Sequence, residues 1–181
     1  DYQGTFMEEG LDCGQKFENH YAQTKYDAEF LVRTWDLGGA KKRIYRLGVL
    51  IGDSVHGEIS KIDGPYYFFK ILSQWKRRFD AIAKSYFIPL PCDPNAIFPI
   101  IPVDHGANFI LSSVFNTQHK DEMRTYHVIS SECPTIKELA RDSFHHFGFR
   151  GRLVAIPKNR FNGHLVGKIG LPLPVLSYMY G

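Results

Sequence analysis

The stretch Arg43-Ile-Tyr-Arg-Leu-Gly-Val-Leu-Ile51 is a nearly continuous apolar run between two turn signals. Gly38-Gly39 precedes it, and a glycine-rich polar loop that begins at Gly52 follows it. A run of this kind is typical of a strand that is buried on both faces of a parallel sheet, because a half-exposed strand would alternate apolar and polar residues. We therefore predict a buried parallel strand over residues 43–51.

Helices and strands alternate along the rest of the chain. We predict a helix capped near Asn19 that ends near Trp35, and further helices over residues 65–79, 106–115 and 135–147. Asp104 and Thr135 are the predicted N-caps of the last two. Strands are predicted over residues 125–129 and 153–156, with short strand-like pieces in 84–102. This alternation indicates an α/β fold with parallel pairing.

Composition excludes several classes of protein. The chain has 181 residues, of which 44% are hydrophobic and 14% aromatic, so it can bury a sizeable core and is not a disordered segment. Its formal charge of +3 is scattered among acids rather than gathered in a stripe, so no nucleic-acid partner is expected. No apolar run is long enough to predict a transmembrane segment.

The three cysteines, Cys13, Cys92 and Cys133, are far apart and form no Cys-x-x-Cys motif. An odd number in this arrangement argues against a disulfide framework or a zinc knuckle and favours a reducing, cytoplasmic location. No histidine and carboxylate set has metal-ligand spacing, so no metal is expected.

The spacing Tyr-x-x-x-Lys occurs twice, at Tyr21 and Lys25 and again at Tyr66 and Lys70. At 100° per residue, the second pair lies opposite the apolar stripe that contains Phe68 and Leu72, on the solvent side of its helix. The first pair lies on the same side as the apolar residues of its helix. These residues are Ala28, Leu31, Val32 and Trp35.

A lysine on an apolar face indicates a partner or a function, because an unpaired ammonium there is costly. The alternative is that Lys25 extends past the edge of the apolar surface into solvent. A cation one helical turn from a phenol favours the phenolate and brings a pKa of about 10 closer to neutrality. Such a tyrosine can donate a proton to a carbonyl oxygen, and the lysine can hold ribose hydroxyls.

Together these motifs resemble the extended short-chain dehydrogenase/reductases, and most closely their thioester reductase and fatty acyl-CoA reductase branch, the "male sterility" type. The resemblance covers about residues 15–140 and rests on an ordered set of segments rather than on any single one. These segments are Asn19-His-Tyr-Ala-Gln-Thr-Lys25, Ala28-Glu-Phe-Leu-Val-Arg33, Arg46-Leu-Gly-Val-Leu-Ile-Gly-Asp-Ser54, Asp63-Gly-Pro-Tyr-Tyr67, Ile101-Pro-Val-Asp104 and Thr125-Tyr-His-Val-Ile-Ser130.

The resemblance implies roles for particular residues. Tyr21 would be the proton donor and Lys25 its ribose-binding partner, both also contacting the cofactor. The segment Leu47, Gly48 and Val49 would meet the nicotinamide carboxamide at the end of the strand. The segment Gly52, Asp53 and Ser54 would edge the substrate pocket, with a plain structural turn as the alternative. The implied cofactor is NADP(H), with NAD(H) as the alternative.

The sequence also departs from the family pattern. It contains no G-x-x-G-x-x-G phosphate loop, and no Ser or Thr on a strand upstream of Tyr21. The resemblance therefore implies the C-terminal portion of an extended Rossmann-type enzyme whose N-terminal dinucleotide-binding half is missing. Residues 1–60 would hold the catalytic helix and the following sheet strand, and residues 61–181 mainly a small substrate-binding lobe. Such a fragment alone would bind NADP(H) weakly and would not turn over.

The function implied for the full-length polypeptide is reduction of acyl thioesters, either fatty acyl-CoA or carrier-bound acyl groups, to aldehyde or alcohol. One alternative is another extended dehydrogenase or epimerase that acts on sugars or sterols, although the epimerase branch usually has Arg-Pro where this chain has Arg46-Leu47. Another alternative is a non-catalytic cofactor-sensing or interaction protein of the same fold.

Overall fold

A computed structural model of the chain describes residues 5–17, 20–36, 38–60, 64–78, 87–116 and 121–156. Helices and strands alternate through these residues, and every strand pair among them is parallel, which confirms the α/β prediction. In chain order the elements are α1 (His20–Thr34), β1 (Lys42–Leu47), β2 (Val49–Ile51), α2 (Pro65–Arg78), β3 (Phe87–Pro91), β4 (Ile100–Pro102), α3 (Val103–Phe115), β5 (Met123–Val128), α4 (Ile136–His146) and β6 (Arg152–Ile156).

The chain forms two compact units, each made from two separate segments. Unit 1 comprises Asp1–Gly57 and Ile100–Ser130, and unit 2 comprises Glu58–Pro99 and Ser131–Gly181. Unit 1 therefore holds α1, β1, β2, β4, α3 and β5, and unit 2 holds α2, β3, α4 and β6. All the residues predicted to form the site belong to unit 1.

The strand predicted over residues 43–51 forms two shorter strands that meet at Gly48. β1 pairs with β5 and β2 pairs with β4. The Gly48 amide donates to the Val128 carbonyl at 3.0 Å, and the Ser130 amide donates to the Ile100 carbonyl at 2.8 Å. The prediction of burial on both faces is wrong, because β1 and β2 are only half-buried and each has one strand neighbour in the described part of the chain.

Helix α1 begins at His20 and ends at Thr34, close to its predicted bounds, whereas the predicted cap Asn19 lies outside the described residues. None of its residues is buried. The expectation that its apolar side faces a core is therefore wrong within unit 1, where Leu31, Val32 and Trp35 are exposed. The apolar side is exposed because no described segment of unit 1 covers it.

The core of unit 2 follows the predicted helix faces. On α2, Leu72 is fully buried and Phe68 packs against the core, while Lys70 is exposed as predicted for the solvent side. The buried cluster consists of Leu72, Ile88, Leu90, Cys92, Ala140, Phe144 and Phe149. The apolar sides of α2 and α4 are therefore buried against β3, against Cys92 after β3, and against Phe149 after α4.

The predicted helix caps have different outcomes. Thr135 caps α4 through a reciprocal capping box, in which its hydroxyl accepts from the Glu138 amide and the Glu138 carboxylate accepts from the Thr135 amide. Gly148, at φ +79°, ends this helix as predicted. Asp104 does not cap α3, because that helix begins at Val103 with Pro102 as its N-cap residue and without a side-chain cap.

Matched isoleucines test the assignment of the unit 2 core. Ile88 is 3% exposed and Ile97 is 66% exposed. Ile88→Ala removes fully buried methyl groups and should lower the free energy of unfolding by about 2–5 kcal/mol. Ile97→Ala should change it by less than about 0.5 kcal/mol. Chemical denaturation of both variants measures the difference, and equal effects would contradict the assigned core.

Candidate functional site

The predicted Tyr21 and Lys25 pair lies on the first turns of α1. The Lys25 ammonium nitrogen is 5.4 Å from the centroid of the Tyr21 ring, as expected for side chains one helical turn apart. Tyr21 is 71% exposed, and neither the phenol oxygen nor the ammonium has a polar partner among the described residues. The structure thus brings the pair together and leaves both groups accessible to a ligand.

The predicted Leu47, Gly48 and Val49 segment lies where the β1 strand gives way to β2. Because Gly48 donates its amide to Val128, it holds the junction between the two strand pairs. Helix α3 lies close to this junction: a Cβ built on Gly106 would lie 3.7 Å from a Leu50 methyl carbon and 4.0 Å from one of Leu47. The segment is therefore at the carboxyl end of β1, where parallel sheets bind ligands.

The predicted Gly52, Asp53 and Ser54 segment opens a tight turn after β2. One Asp53 carboxylate oxygen accepts from the Val55 amide at 3.1 Å and from the His56 amide at 2.7 Å. The turn closes at Gly57, whose φ of +70° favours glycine and whose amide donates to the Asp53 carbonyl at 2.9 Å. The Asp53 side chain therefore holds the turn.

Ser54 connects this turn to helix α3 through Asp104. The Ser54 amide donates to one Asp104 oxygen at 2.9 Å, and the Ser54 hydroxyl donates to the other at 2.6 Å. The hydroxyl hydrogen bond is the largest cause of a lowered pKa for the Asp104 carboxyl. These bonds support the structural role of the turn, and its predicted contact with substrate stays a prediction.

A partly buried ion pair network joins α1 to β1. Glu29 on α1 accepts from Arg33 at 2.9 Å and from two nitrogens of Arg46 on β1 at 2.7 and 3.0 Å. The three side chains are 12–17% exposed. Burial alone would raise the pKa of Glu29, but the hydrogen bonds from Arg46 and Arg33 outweigh it and lower that pKa.

Arg33 extends the network to β5 and to the segment that precedes α1. It donates to the Thr125 hydroxyl at 2.9 Å and to the carbonyls of Glu8 and Glu9 at 3.1 Å each. A guanidinium presents several donors in fixed directions, so a single arginine can hold a helix, a strand and a loop in one arrangement.

Arg46 makes the corresponding connections from β1. It donates to the Gly10 carbonyl, lies 2.9 Å from the His127 ring nitrogen Nε2, and stacks over the Phe6 ring with 4.7 Å between its guanidinium carbon and the ring centroid. The His127 amide in turn donates to the Glu8 carboxylate at 2.9 Å. These contacts therefore hold residues 6–10 against β1 and β5.

Neither this network nor the Ser54–Asp104 contact was predicted from the sequence. Two sequence signals point to the network: Glu29 and Arg33 have i,i+4 spacing, and Arg46 is a charged residue inside an apolar run, where it needs a partner. No local signal points to the Ser54–Asp104 contact, since 50 residues separate its partners.

The described residues contain no metal-binding cluster of three or more histidine, cysteine or acidic side chains. None of the described helices is both long and apolar enough to cross a membrane. The three cysteines are all within the described residues and form no disulfide with one another.

A sequence model of the male sterility protein family, an NAD-binding family, matches residues 5–110. The chain belongs to this family. It is thereby related to the NAD(P)-dependent oxidoreductases of the extended short-chain dehydrogenase/reductase type, and the family cofactor is NAD(P)(H). The matched residues include α1, the strands β1 and β2, and the turn that follows β2.

Several solved structures are similar to this chain at low identity. UDP-glucose 4-epimerase of the hyperthermophilic eubacterium Thermotoga maritima, with UDP-glucose, is 16% identical at a TM-score of 0.43, over 77% of this chain and 40% of that chain. RMD of Pseudomonas aeruginosa, in complex with NADPH, is 16% identical at a TM-score of 0.45, over 88% and 53%. The chain thus spans about half the length of these structures. A search of curated proteins found no match.

The residues of unit 1 fit one end of this cofactor. Phenol and ammonium groups that are exposed and have no polar partner in the described chain can donate to ribose hydroxyls. The Gly48 amide at the strand end already donates to the Val128 carbonyl. The opposite end of the dinucleotide needs a glycine-rich turn at a helix N-terminus, and the sequence contains no such motif. Contact of these residues with the nicotinamide riboside stays a prediction.

The lowered pKa of Glu29 predicts how the network contributes to stability. Glu29→Gln removes the charge and should lower the free energy of unfolding by about 1.5–3 kcal/mol at pH 7. Since the folded pKa is below the unfolded value of about 4.3, the contribution is complete above that value and is lost as pH falls through the folded pKa.

The difference between the parent chain and Glu29→Gln should therefore shrink as pH is lowered below about 4.3 and through the folded pKa. Denaturation at several pH values measures it, with Glu9→Gln as the control, because the Glu9 side chain is exposed. A difference that stays constant across this range would contradict the assigned ion pairs.

Proposed function

We propose that the full-length polypeptide is an NADPH-dependent reductase of acyl thioesters, either fatty acyl-CoA or acyl groups on a carrier, and that it yields aldehyde or alcohol. The observation that carries the proposal is the exposed Tyr21 with the Lys25 ammonium beside its ring, in a chain of an NAD-binding family. The motif segments from Asn19 to Ser130 supply the narrower resemblance to the acyl thioester branch.

In this proposal Tyr21 acts on the carbonyl oxygen of the substrate. Its phenol donates a hydrogen bond to that oxygen and transfers its proton as negative charge develops there. Lys25 stabilises the resulting phenolate and holds the ribose hydroxyls of the cofactor. Bound NADPH would supply the hydride for the carbonyl carbon, which gives a hemithioacetal. Cleavage of its C–S bond then releases the thiol carrier and the aldehyde. The exposed position of the pair lets both ligands reach it.

The strand end and the turn complete the proposed site. Leu47, Gly48 and Val49 offer backbone groups to the nicotinamide carboxamide, at a junction that Val128 and α3 hold in place. Gly52, Asp53 and Ser54 line the substrate side. Because Asp53 and Asp104 fix this turn, its backbone is positioned before substrate binds.

We also propose that the missing N-terminal half of the same polypeptide supplies the phosphate loop and covers the exposed apolar side of α1. The chain matches only about half the length of related solved structures, and Leu31, Val32 and Trp35 are exposed side by side on α1. In this arrangement residues 1–60 carry the catalytic helix and strand, and residues 61–181 form mainly the substrate-side lobe. The chain alone would then lack activity. A cytoplasmic location stays a prediction.

The two Tyr-x-x-x-Lys pairs provide a matched test in the full-length polypeptide. Tyr21→Phe removes only the hydroxyl, so NADPH oxidation with a long-chain acyl-CoA should fall by about 10²–10⁴-fold, while NADPH binding is retained. Tyr66→Phe changes a tyrosine of the same spacing and should leave the rate unchanged. Steady-state kinetics and NADPH fluorescence titration measure the two effects.

Unchanged turnover in Tyr21→Phe would overturn the role of Tyr21. Oxidation supported by a sugar nucleotide or a sterol, and by no thioester or aldehyde, would instead replace the substrate class and keep the catalytic pair. A full-length polypeptide that binds NADPH but oxidises it with none of these compounds would favour the cofactor-sensing alternative.

A further inference from the structure

Unit 2 contains a cavity of about 420 Å³ on the β3–β6 strand pair. Its volume falls in the range of about 300–1,000 Å³ that is usual for small-molecule pockets. Four elements of unit 2 form it: β3, the loop after β3, the first turn of α4, and β6. Most of its lining is apolar and consists of Phe87, Leu90, Pro94, Leu153, Val154 and Ala155.

The strand register explains where the apolar surface comes from. Leu90 is the register partner of Ala155, so a small residue lies beside a large one there, and Phe87 is the register partner of Arg152. The buried Cys92 also lines the cavity, and burial raises the pKa of its thiol to about 11. The thiol is therefore neutral at physiological pH, and this part of the lining carries no charge.

The two charged residues in the lining are both cations. Lys137 comes from the first turn of α4 and Arg152 from the start of β6. Neither side chain has an ion pair or hydrogen bond within the described part of the chain. No acidic side chain is among the described lining residues. The cavity therefore combines an apolar surface with two exposed cations that have no anionic partner among the described residues.

Acidic residues near the cavity already have other partners. The Glu138 carboxylate accepts from both the amide and the hydroxyl of Thr135 in the capping box. The Asp93 carboxylate accepts from the Asn95 amide at 3.0 Å. These contacts leave Lys137 and Arg152 as the groups of the cavity that can bind a charged ligand.

We propose that this cavity binds a medium-chain aliphatic carboxylate of roughly eight carbons. The chain lies on the apolar lining, and the carboxylate pairs with Arg152 and Lys137, because a guanidinium binds a carboxylate through two parallel hydrogen bonds. The site lies wholly within unit 2. The proposal therefore stands independently of Tyr21 and of the reaction proposed for it.

Calorimetric titration of the chain with octanoate tests the site. Octanoate should bind, and hexanoate, which is two methylenes shorter, should bind about fifteenfold more weakly, because each buried methylene contributes a factor of roughly four. Octan-1-ol, which has the same chain length without the charge, should bind at least about tenfold more weakly than octanoate. Lys137→Met and Arg152→Met should each weaken octanoate binding by about tenfold while leaving octan-1-ol binding unchanged.

Two further variants serve as controls. Lys70→Met removes an exposed cation of unit 2 that does not line the cavity, and should leave octanoate binding unchanged. Val154→Phe enlarges a half-exposed lining residue and should weaken both octanoate and octan-1-ol. Absence of octanoate binding would overturn the proposal. So would equal affinities for octanoate and octan-1-ol, or losses in Lys70→Met as large as those in Lys137→Met.

Discussion

The arrangement of unit 1 depends on the ion pairs between Glu29 on α1 and Arg46 on β1. No residue of α1 is buried, so among the described residues hydrophobic packing contributes little to its position on the strands. The 2.7 and 3.0 Å contacts of Arg46 with Glu29 hold it instead, and Arg33 extends the same network to β5. Because Tyr21 lies about two turns and Lys25 about one turn before Glu29 on this helix, the network also sets the position of the proposed catalytic pair relative to the strands.

Different interactions stabilise the two units. Unit 2 has a buried cluster centred on Leu72, Ile88 and Phe144, so burial of apolar surface stabilises it. Unit 1 relies on charged hydrogen bonds, on the Ser54–Asp104 contact and on paired strands. A site held by polar contacts near its surface keeps its reactive groups accessible. The exposed apolar side of α1 then becomes a surface on which another part of the polypeptide can pack.

Local patterns predicted most of the fold, and long-range contacts account for what they missed. The bounds of α2 and α4, the Thr135 capping box and the glycine that ends α4 follow from signals within a few residues of one another. The division of the 43–51 strand at Gly48 could not be predicted, since it depends on pairing with β4 and β5, which are distant in sequence. Aspartate is a common N-cap residue, but Asp104 instead accepts a hydrogen bond from Ser54, which is distant in sequence.

Part of the candidate site was predictable in the same way. The Tyr21 and Lys25 contact follows from helical spacing, whereas the exposure of the helix side that carries it depends on which segments cover α1. Lys137 and Arg152, which have no ion-pair partner among the described residues, lie beside an apolar cavity without any sequence signal, because three separate segments of unit 2 bring them together with Phe87. Function was inferred from an ordered set of motifs rather than from any single one, and the family match to residues 5–110 supports its NAD-binding class.

The most direct test of the account follows the hydrogen transferred in the proposed reaction. The full-length polypeptide would be incubated with a long-chain acyl-CoA and NADPH that carries deuterium in the transferable position at C4 of the nicotinamide ring, and the product analysed by mass spectrometry. We expect deuterium on C1 of the aldehyde or alcohol. A product reduced without deuterium at C1, or no reduced product from any acyl thioester, would contradict the account.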